Sequence, residues 1–259
     1  ESNRFRFSND SSALERARIC GNWLLGNSDI NQNGIFGYGL ADSSDAFGDL
    51  TFNPALSEYT ITTAIAVAGL LDWHRIEPDS STQFQILRTA ENCLAPFLSR
   101  SNDSPLGIPA YSFHSNDMNM DVYNPALFAA GQMKRISTLI SDPVTAAAFT
   151  MRSIEIVEVC LANHKMDENG NVYWDYGIQK DIANDLMHAC YVLEGIREYR
   201  EYGGEINLPW ESIINHLDLF YADEIWYDFI FDQWKDRLRS IVRHEAHLLL
   251  GLSYYLYHE

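Results

Sequence analysis

The spacing of apolar residues along the chain predicts a protein built from helices. Apolar side chains recur three and four positions apart in long segments, as in an amphipathic helix, and the alternating pattern of a half-buried strand is scarce. The loops between these segments are rich in glycine, asparagine, aspartate and aromatic residues, which interrupt helices. The predicted helices cover roughly residues 11–26, 56–76, 80–99, 123–140, 143–164, 181–202, 208–222 and 235–257.

Residues typical of helix ends support several of these limits. Residues 79–81 (Asp-Ser-Ser) supply capping side chains at the start of the third predicted helix. Residues 141–143 (Ser-Asp-Pro) place a cap before a proline that suits the first helical turn. Gly203 and Gly204 end the sixth predicted helix.

The predicted helices are of two kinds, which alternate. The odd-numbered helices carry a charged face, whereas residues 57–71 of the second helix are small and apolar nearly all round, as in a helix enclosed on every side. Each even-numbered helix follows a loop with glycine or aromatic residues. Two of them open with the same tetrapeptide, Asn-Pro-Ala-Leu, at 53–56 and 124–127. The chain therefore repeats a unit of about 60 residues.

Repeated pairs of an outer and an inner helix predict an all-α fold, an α/α toroid built from about four helical hairpins. Because the units share one continuous core, we expect a single domain over residues 1–259. In such an arrangement the loops that lead into the inner helices lie on one face. Their aromatic and acidic side chains would then surround the mouth of the inner ring.

The composition is typical of a folded globular protein and restricts the classes of partner that it can bind. Of 259 residues, 46% are hydrophobic and 13% aromatic, which excludes an acidic disordered protein. With 18 Lys and Arg against 36 Asp and Glu, the formal net charge is −18. Phosphate backbones repel such a chain, so we expect no nucleic-acid partner. The longest apolar stretch, residues 64–71, is too short to cross a bilayer, so we expect no membrane insertion.

The cysteines favour a reducing compartment. Cys20, Cys93, Cys160 and Cys190 lie far apart, among apolar neighbours, without the spacing of metal ligands. We expect buried thiols, a cytoplasmic location and no cofactor. The first residues contain no apolar run of the kind found in a signal peptide. An exported form with its signal removed, or with two disulfides, stays open as the alternative.

One stretch resembles a known group of proteins. Residues 174–177 (Trp-Asp-Tyr-Gly) are followed by Asp181, Asp185 and His188 and then by residues 191–195 (Tyr-Val-Leu-Glu-Gly). This is similar to the W-x-Y, D-x-x-H and L-x-G-L segments of toroid proteins associated with bacterial polysaccharide synthesis. The predicted architecture also resembles the (α/α) toroids of six-hairpin glycosidases, polysaccharide lyases and the helical domain of glucuronyl C5-epimerases. Four hairpins are predicted here instead of six. The resemblance implies that the protein handles glycans and leaves the reaction open.

Asp181, Asp185 and His188 form the first candidate catalytic group. If the helix begins at residue 181, they lie at positions i, i+4 and i+7 on one face, near the positive end of the helix dipole. Asp185 could then orient His188 as a general base, since imidazole changes its protonation near neutral pH. The alternative is a capping carboxylate and a core histidine.

A basic stripe on the last predicted helix forms the second group. Arg239, Arg243 and His247 follow one another at four-residue spacing, beside His244. Paired arginines suit a carboxylate or phosphate on a ligand. The alternative is that they neutralise acidic residues of the same segment. Residues 244–247 (His-Glu-Ala-His) lack the spacing of a zinc-protease helix, so we expect no metal site.

A pair of carboxylates is the third candidate. Glu58, next to Tyr59 at the start of the first inner helix, could face Asp185 or Asp175 across the ring. Inverting glycosidases use two carboxylates roughly 6.5–9.5 Å apart. A glutamate in the first turn is also ordinary helix chemistry.

The remaining candidates would bind substrate. His114 lies in the longest loop, 101–122, which suits a binding loop or a lid. Aromatic side chains can stack on sugar rings, although several of these must fill the core. The aromatic candidates are Tyr38, Tyr59, Tyr111, Tyr123, Trp174, Tyr176 and Trp226.

These features predict a carbohydrate-active enzyme with a glycan substrate. The first expectation is glycoside hydrolysis by paired carboxylates. The second is elimination from, or epimerisation of, a uronate by a His/Tyr pair. A non-catalytic helical scaffold that binds a glycan or a protein is the competing class. Each of these three functions is compatible with a homo-oligomer or with a partner subunit.

Overall fold

Helices dominate the structure, so the predicted all-α class is confirmed. The computed structural model describes residues 1–45, 50–99, 104–178, 180–222 and 225–226. The predicted helix 235–257 lies outside this part of the chain. The described helices are α1 (Ser2–Ser8), α2 (Ser11–Gly26), α3 (Thr60–His74), α4 (Ser80–Leu94), α5 (Tyr123–Ser137), α6 (Pro143–Ala162), α7 (Leu186–Glu201) and α8 (Trp210–Ile214), with 3-10 segments at Ala95–Leu98 and Asn215–Phe220.

Aspartates set the beginning of four helices. Asp10, Asp79, Asp142 and Asp185 each precede a helix and accept a hydrogen bond from a backbone N–H of its first turn. Such caps satisfy donors that the helix itself leaves unpaired. Two of these caps, before α4 and α6, were predicted from the sequence. Helix α1 was not predicted.

Six short strands within the described residues form three antiparallel hairpins, each of two strands. Strand β1 pairs with β2, β3 with β4, and β5 with β6. The first two hairpins occupy the connection from α6 to α7, so this loop is more regular than the sequence indicates. The strands are β1 (Lys165–Met166), β2 (Val172–Tyr173), β3 (Asp175–Gly177), β4 (Lys180–Ala183), β5 (Tyr221–Ala222) and β6 (Ile225–Trp226).

Helix α5 lies at the centre of the described structure. Every residue from 123 to 133 is buried, because α5 packs against α3, α4, α6 and α7. The sequence predicts such enclosure for residues 57–71, and this is wrong for one face of α3, where Ile65 is 40% exposed. One cluster of buried apolar residues extends from α3 to the 3-10 segment that follows α8.

Helices α5 and α7 run side by side in the same direction. Phe128 contacts Tyr191 near their N-terminal halves, with ring centroids 5.9 Å apart. Arg135 lies 3.9 Å from Glu198 near their C-terminal ends. Between these contacts the backbones touch at Gly195. A Cβ atom added there would lie 2.5 Å from the carbonyl carbon and oxygen of Leu127.

Helix α3 is parallel to the same pair. Its first residue, Thr60, donates its backbone N–H to Tyr111 O at 3.0 Å, and Tyr111 in turn donates to Met120 O, three residues before α5. At the other end Arg135 forms a 2.7 Å ion pair with Asp72. The three helices therefore begin at one end of the bundle, so the loops leading into them lie at that end. We call this end the mouth.

Two of these three parallel helices begin later than predicted. Helix α3 starts at Thr60, not residue 56, because the preceding residues are extended and pair with other loops, Glu58 with Gly39 and Tyr59 with Ser112. The first Asn-Pro-Ala-Leu tetrapeptide therefore lies in a loop, whereas the second is in α5. Helix α7 starts at residue 186, because 180–183 pair with β3 as strand β4.

The four cysteines are free thiols, and three of them are buried as predicted. Cys20 differs because it lies on the exposed face of α2. Among the described helices, none combines the length and the apolar character that crossing a membrane requires.

Candidate functional site

Asp185 holds His188 at the mouth through two hydrogen bonds. Its Oδ1 accepts the backbone N–H of His188 at 2.8 Å, and its Oδ2 lies 2.7 Å from His188 Nδ1. A carboxylate accepts only, so in the neutral form of the ring Nδ1 carries the proton and Nε2 is the acceptor nitrogen. About one fifth of each side chain is exposed, 20% for His188 and 21% for Asp185. The predicted cap and the predicted histidine orienter are thus the same residue.

A row of tyrosines extends from His188 across the mouth. The Tyr176 ring meets His188 edge-on, with centroids 4.9 Å apart. Its hydroxyl and the hydroxyl of Tyr111 form a hydrogen bond with each other, and Tyr111 meets Tyr59 edge-on at 5.6 Å. Burial raises the pKa of Tyr176 well above its usual range, and nearby Asp185 adds to this. Tyr176 is therefore a protonated donor at neutral pH.

Backbone pairing between loops positions these side chains. Tyr59 pairs with Ser112, next to Tyr111, and Val122 pairs with Gly177, next to Tyr176. A Cβ at Gly177 would lie 2.3 Å from the carbonyl oxygen of Asp121. This close approach needs glycine, and it brings the β3–β4 hairpin against the start of α5.

A buried polar cluster fixes the loop before α5. Asp117 accepts hydrogen bonds from Asn53 Nδ2 at 2.5 Å and from Ser112 Oγ at 2.7 Å. Asp121 accepts from Ser104 Oγ and from the backbone N–H of Leu106. Burial raises the pKa of Asp121. Hydrogen bonds to these two aspartates thus hold the described part of this loop at Asp117 and at Asp121.

The predicted carboxylate pair has other partners in the structure. Glu58 is buried, and its Oε1 accepts hydrogen bonds from Asn31 at 3.0 Å and Asn33 at 3.1 Å. Asp175 forms an ion pair with Lys165. Two ring contacts and one hydrogen bond between hydroxyls separate His188 from Tyr59, the neighbour of Glu58, along the row of tyrosines. Glu58 therefore belongs to the wall of the mouth, on the side of the first loop.

Several predicted substrate contacts are core residues. Trp174 is 2% exposed and donates its indole N–H to Cys160 O at 2.7 Å. Tyr59 and Tyr123 are each 3% exposed, so their faces are not available for stacking on a sugar. These large rings instead fill the junctions between elements of the described structure. Burial raises the pKa of Tyr123 to about 12.

Two further predicted site residues, His114 and Asp181, do not belong to the helix that carries His188. His114 is half-buried, and its Nδ1 accepts the backbone N–H of Asn116 at 3.3 Å. No contact joins it to His188 within the described loops. Asp181 lies in strand β4, so it does not share a helix face with Asp185 and His188. The basic group Arg239, Arg243 and His247, together with Trp226's side chain, lies outside what the structure describes.

Two residues of α7 continue the site inward, and neither was among the predicted site residues. Tyr191 and Glu194 follow His188 at three-residue spacing on the same helix face. The rings of His188 and Tyr191 lie 6.2 Å apart, and burial raises the pKa of Tyr191 to about 12. Burial also raises the pKa of Glu194 to about 7, against the attraction of Arg197 and with added repulsion from Glu198 and Asp72. Helical spacing from His188 could have identified both.

Glu194 gives a prediction about stability and pH. Its carboxyl group has a higher pKa in the folded protein than in the unfolded chain, near 4.5. The folded state keeps this proton longer, so stability falls as pH rises from about 4.5 to about 7. We expect Glu194→Gln to remove this loss and to raise the free energy of unfolding at pH 8 by about 1–3 kcal/mol. Urea unfolding at pH 4.5 and pH 8 measures the free energy of unfolding of the variant and of the original protein. The exposed Glu211→Gln is the control, and an equal gain in both variants would contradict the prediction.

The described residues include no group of three or more side chains that could hold a metal ion. The arrangement around His188 consists of an imidazole held by a carboxylate, a protonated phenol beside it, and a second phenol that is hydrogen-bonded to the first.

No protein-family model matches the chain, and the searches of curated proteins and of solved structures found no significant match.

Proposed function

We propose that the mouth is an acid–base site that moves a proton on a carbohydrate, with His188 as the base and Tyr176 as the acid. The observation that carries this proposal is the double hold of Asp185 on His188, through the backbone N–H and through Nδ1. This hold fixes both the ring orientation and the nitrogen that is free to accept a proton. The adjacent phenol of Tyr176 stays protonated, so the two groups have opposite roles.

The reaction that fits this pair is abstraction of the proton at C5 of a uronate sugar. His188 Nε2 takes the proton, and the C5–H electron pair moves toward the neighbouring carboxylate. In elimination, that pair forms the C4–C5 double bond, the C4–O bond breaks, and Tyr176 gives its proton to the departing oxygen. In epimerisation, Tyr176 returns a proton to C5 from the opposite face. Both outcomes use the same two side chains.

Hydrolysis by paired carboxylates stays a prediction, with less support from the contacts. It needs two carboxylates that are free to act as acid and base. Asp185 is engaged by His188, Asp175 by Lys165 and Glu58 by two asparagines. A His/Tyr pair is therefore favoured over a pair of acids.

We also propose that the described helices form part of an α/α toroid. The support is the parallel direction of α3, α5 and α7, with outer helices α4 and α6 returning between them. In a toroid the mouth is where an extended glycan would lie, and the similarity of residues 174–195 to polysaccharide-associated toroids agrees with this.

A panel of polysaccharides tests the proposal. The protein is incubated with uronate polymers, such as polygalacturonate and alginate, and with a neutral β-glucan. Elimination produces an ultraviolet-absorbing double bond, and epimerisation changes the C5 configuration seen by NMR. Either result on a uronate polymer supports the proposal. New reducing ends without a double bond would instead support hydrolysis, and binding without turnover would support a scaffold.

A further inference from the structure

A small cavity lies on the outer side of α7, away from His188. It is formed where β2, the start of α7, and the 3-10 segment Asn215–Phe220 meet. About 10 Å³ of it is open to the centre of a water molecule. Apolar side chains make most of its wall, and Asn184 and His216 contribute polar side chains to it.

His216 is buried, and no residue within the described part of the chain forms a hydrogen bond with its ring. It is 4% exposed, and both Nδ1 and Nε2 are left unsatisfied there. Tyr173 stacks on the ring at 4.8 Å, and Phe220 meets it edge-on at 5.6 Å. Because aromatic rings cover the imidazole, only the nitrogens at its edge can bind a polar group.

Asn184 contributes a second unsatisfied group to the same cavity. It is 3% exposed, and its Oδ1 has no hydrogen-bond partner among the described residues. An unpaired buried acceptor is unfavourable, so two such residues in the wall of one cavity favour a shared ligand.

The charge state of His216 fixes which ligand fits. Burial lowers the pKa of His216 to about 4, against a weaker opposing effect of Asp167. The ring is neutral at pH 7 and offers one acceptor nitrogen. The cavity then presents two acceptors, this nitrogen and Asn184 Oδ1. A water molecule, with two donors, matches them, and a cavity of about 10–15 Å³ is enough to hold one.

We propose that this cavity is a binding site for one internal water, which donates hydrogen bonds to His216 and to Asn184 Oδ1. Because the two ring nitrogens point in different directions, one water bonds only one of them. Asn184 directly precedes Asp185, the cap of α7. The water thus joins the 3-10 segment to the residue beside the cap that holds His188, and this link does not depend on the proposed function.

A double-mutant cycle tests the shared water. Asn184→Ala and His216→Phe each remove one partner, and we expect each to lower the folding equilibrium constant about tenfold. The double variant should be little worse than either single variant, because the water has lost its role after the first change. Asn207→Ala, at an exposed asparagine, combined with His216→Phe is the control, for which we expect the effects to multiply.

A dry cavity predicts the opposite pattern. The apolar replacement of an unpaired polar group would then leave stability unchanged or raise it, and the two changes would act independently. That result would overturn the proposal.

Water–protein cross-relaxation by NMR on the unmodified protein provides a second measurement that needs no variant. We expect a cross-peak from a long-lived water to the side chains of His216 and Asn184. Its absence would also overturn the proposal, even if a variant failed to fold.

Discussion

Asp185→Asn is expected to reduce turnover by about 100- to 10,000-fold while the fold is retained. Asparagine caps a helix as well as aspartate does, so the hydrogen bond to the backbone N–H of His188 can be kept. The carboxylate that accepts from Nδ1–H is lost, and the ring is no longer held with Nε2 as the base. The loss should therefore appear in kcat, with a smaller change in KM.

Asp142→Asn is the matched control for this change. Asp142 caps α6 in the same manner, through a 2.9 Å hydrogen bond from the backbone N–H of Thr145, and it lies away from the mouth. The free energy of unfolding of both variants should lie within about 1 kcal/mol of that of the original protein. Only Asp185→Asn should lose activity. His188→Gln should reproduce that loss. Full activity in Asp185→Asn, or an equal loss in Asp142→Asn, would contradict the role of the pair.

Gly195→Ala is expected to have the largest effect on stability, a loss of about 3 kcal/mol or more. The added Cβ would lie 2.5 Å from Leu127 O and 2.6 Å from Phe128 N. These are backbone atoms of the buried helix α5, which cannot move aside without disturbing its other neighbours. Overpacking of a core costs about 1–3 kcal/mol, and more where the obstacle is rigid. Thermal or urea unfolding measures the change.

Gly69→Ala is the control for Gly195→Ala. Both changes replace a glycine within a helix by alanine, and the two positions differ in their surroundings. Gly69 lies within α3 on an exposed face, and an added Cβ would meet no atom within 4 Å. Alanine is the better helix former by about 0.5–1 kcal/mol, so this variant should gain stability. A similar response from both variants would contradict the close contact between α5 and α7.

The helices were predictable because their periodicity and their caps are local properties of the sequence. The limits of α2 follow from its apolar spacing, and α6 begins at the predicted proline. The start of α7 was not predictable in this way. Residues 180–183 are compatible with a helix by their spacing, and the structure pairs them with β3, a contact between segments. This pairing moves Asp181 off the helix that carries Asp185 and His188.

The candidate site was predictable only where its residues belong to one helix. Asp185 and His188 are three residues apart, so the sequence could bring them together. Tyr176 and Tyr111 are joined across two loops, and no spacing along the chain indicates such a contact. The burial of Trp174 was likewise not evident, because an aromatic residue fits a core as well as a sugar-binding surface. The hydrogen bond from its indole N–H to Cys160 O depends on how α6 packs against β2.

The exchange of the C5 proton with solvent tests the acid–base role of the mouth most directly. A uronate oligosaccharide is incubated with the protein in D₂O, and deuterium at C5 is followed by NMR, for the original protein and for His188→Gln. We predict that the original protein incorporates deuterium at C5, or releases that proton during elimination, and that His188→Gln does neither at a comparable rate. Turnover with the C5 proton fully retained, or exchange that persists unchanged in His188→Gln, would contradict the proposal.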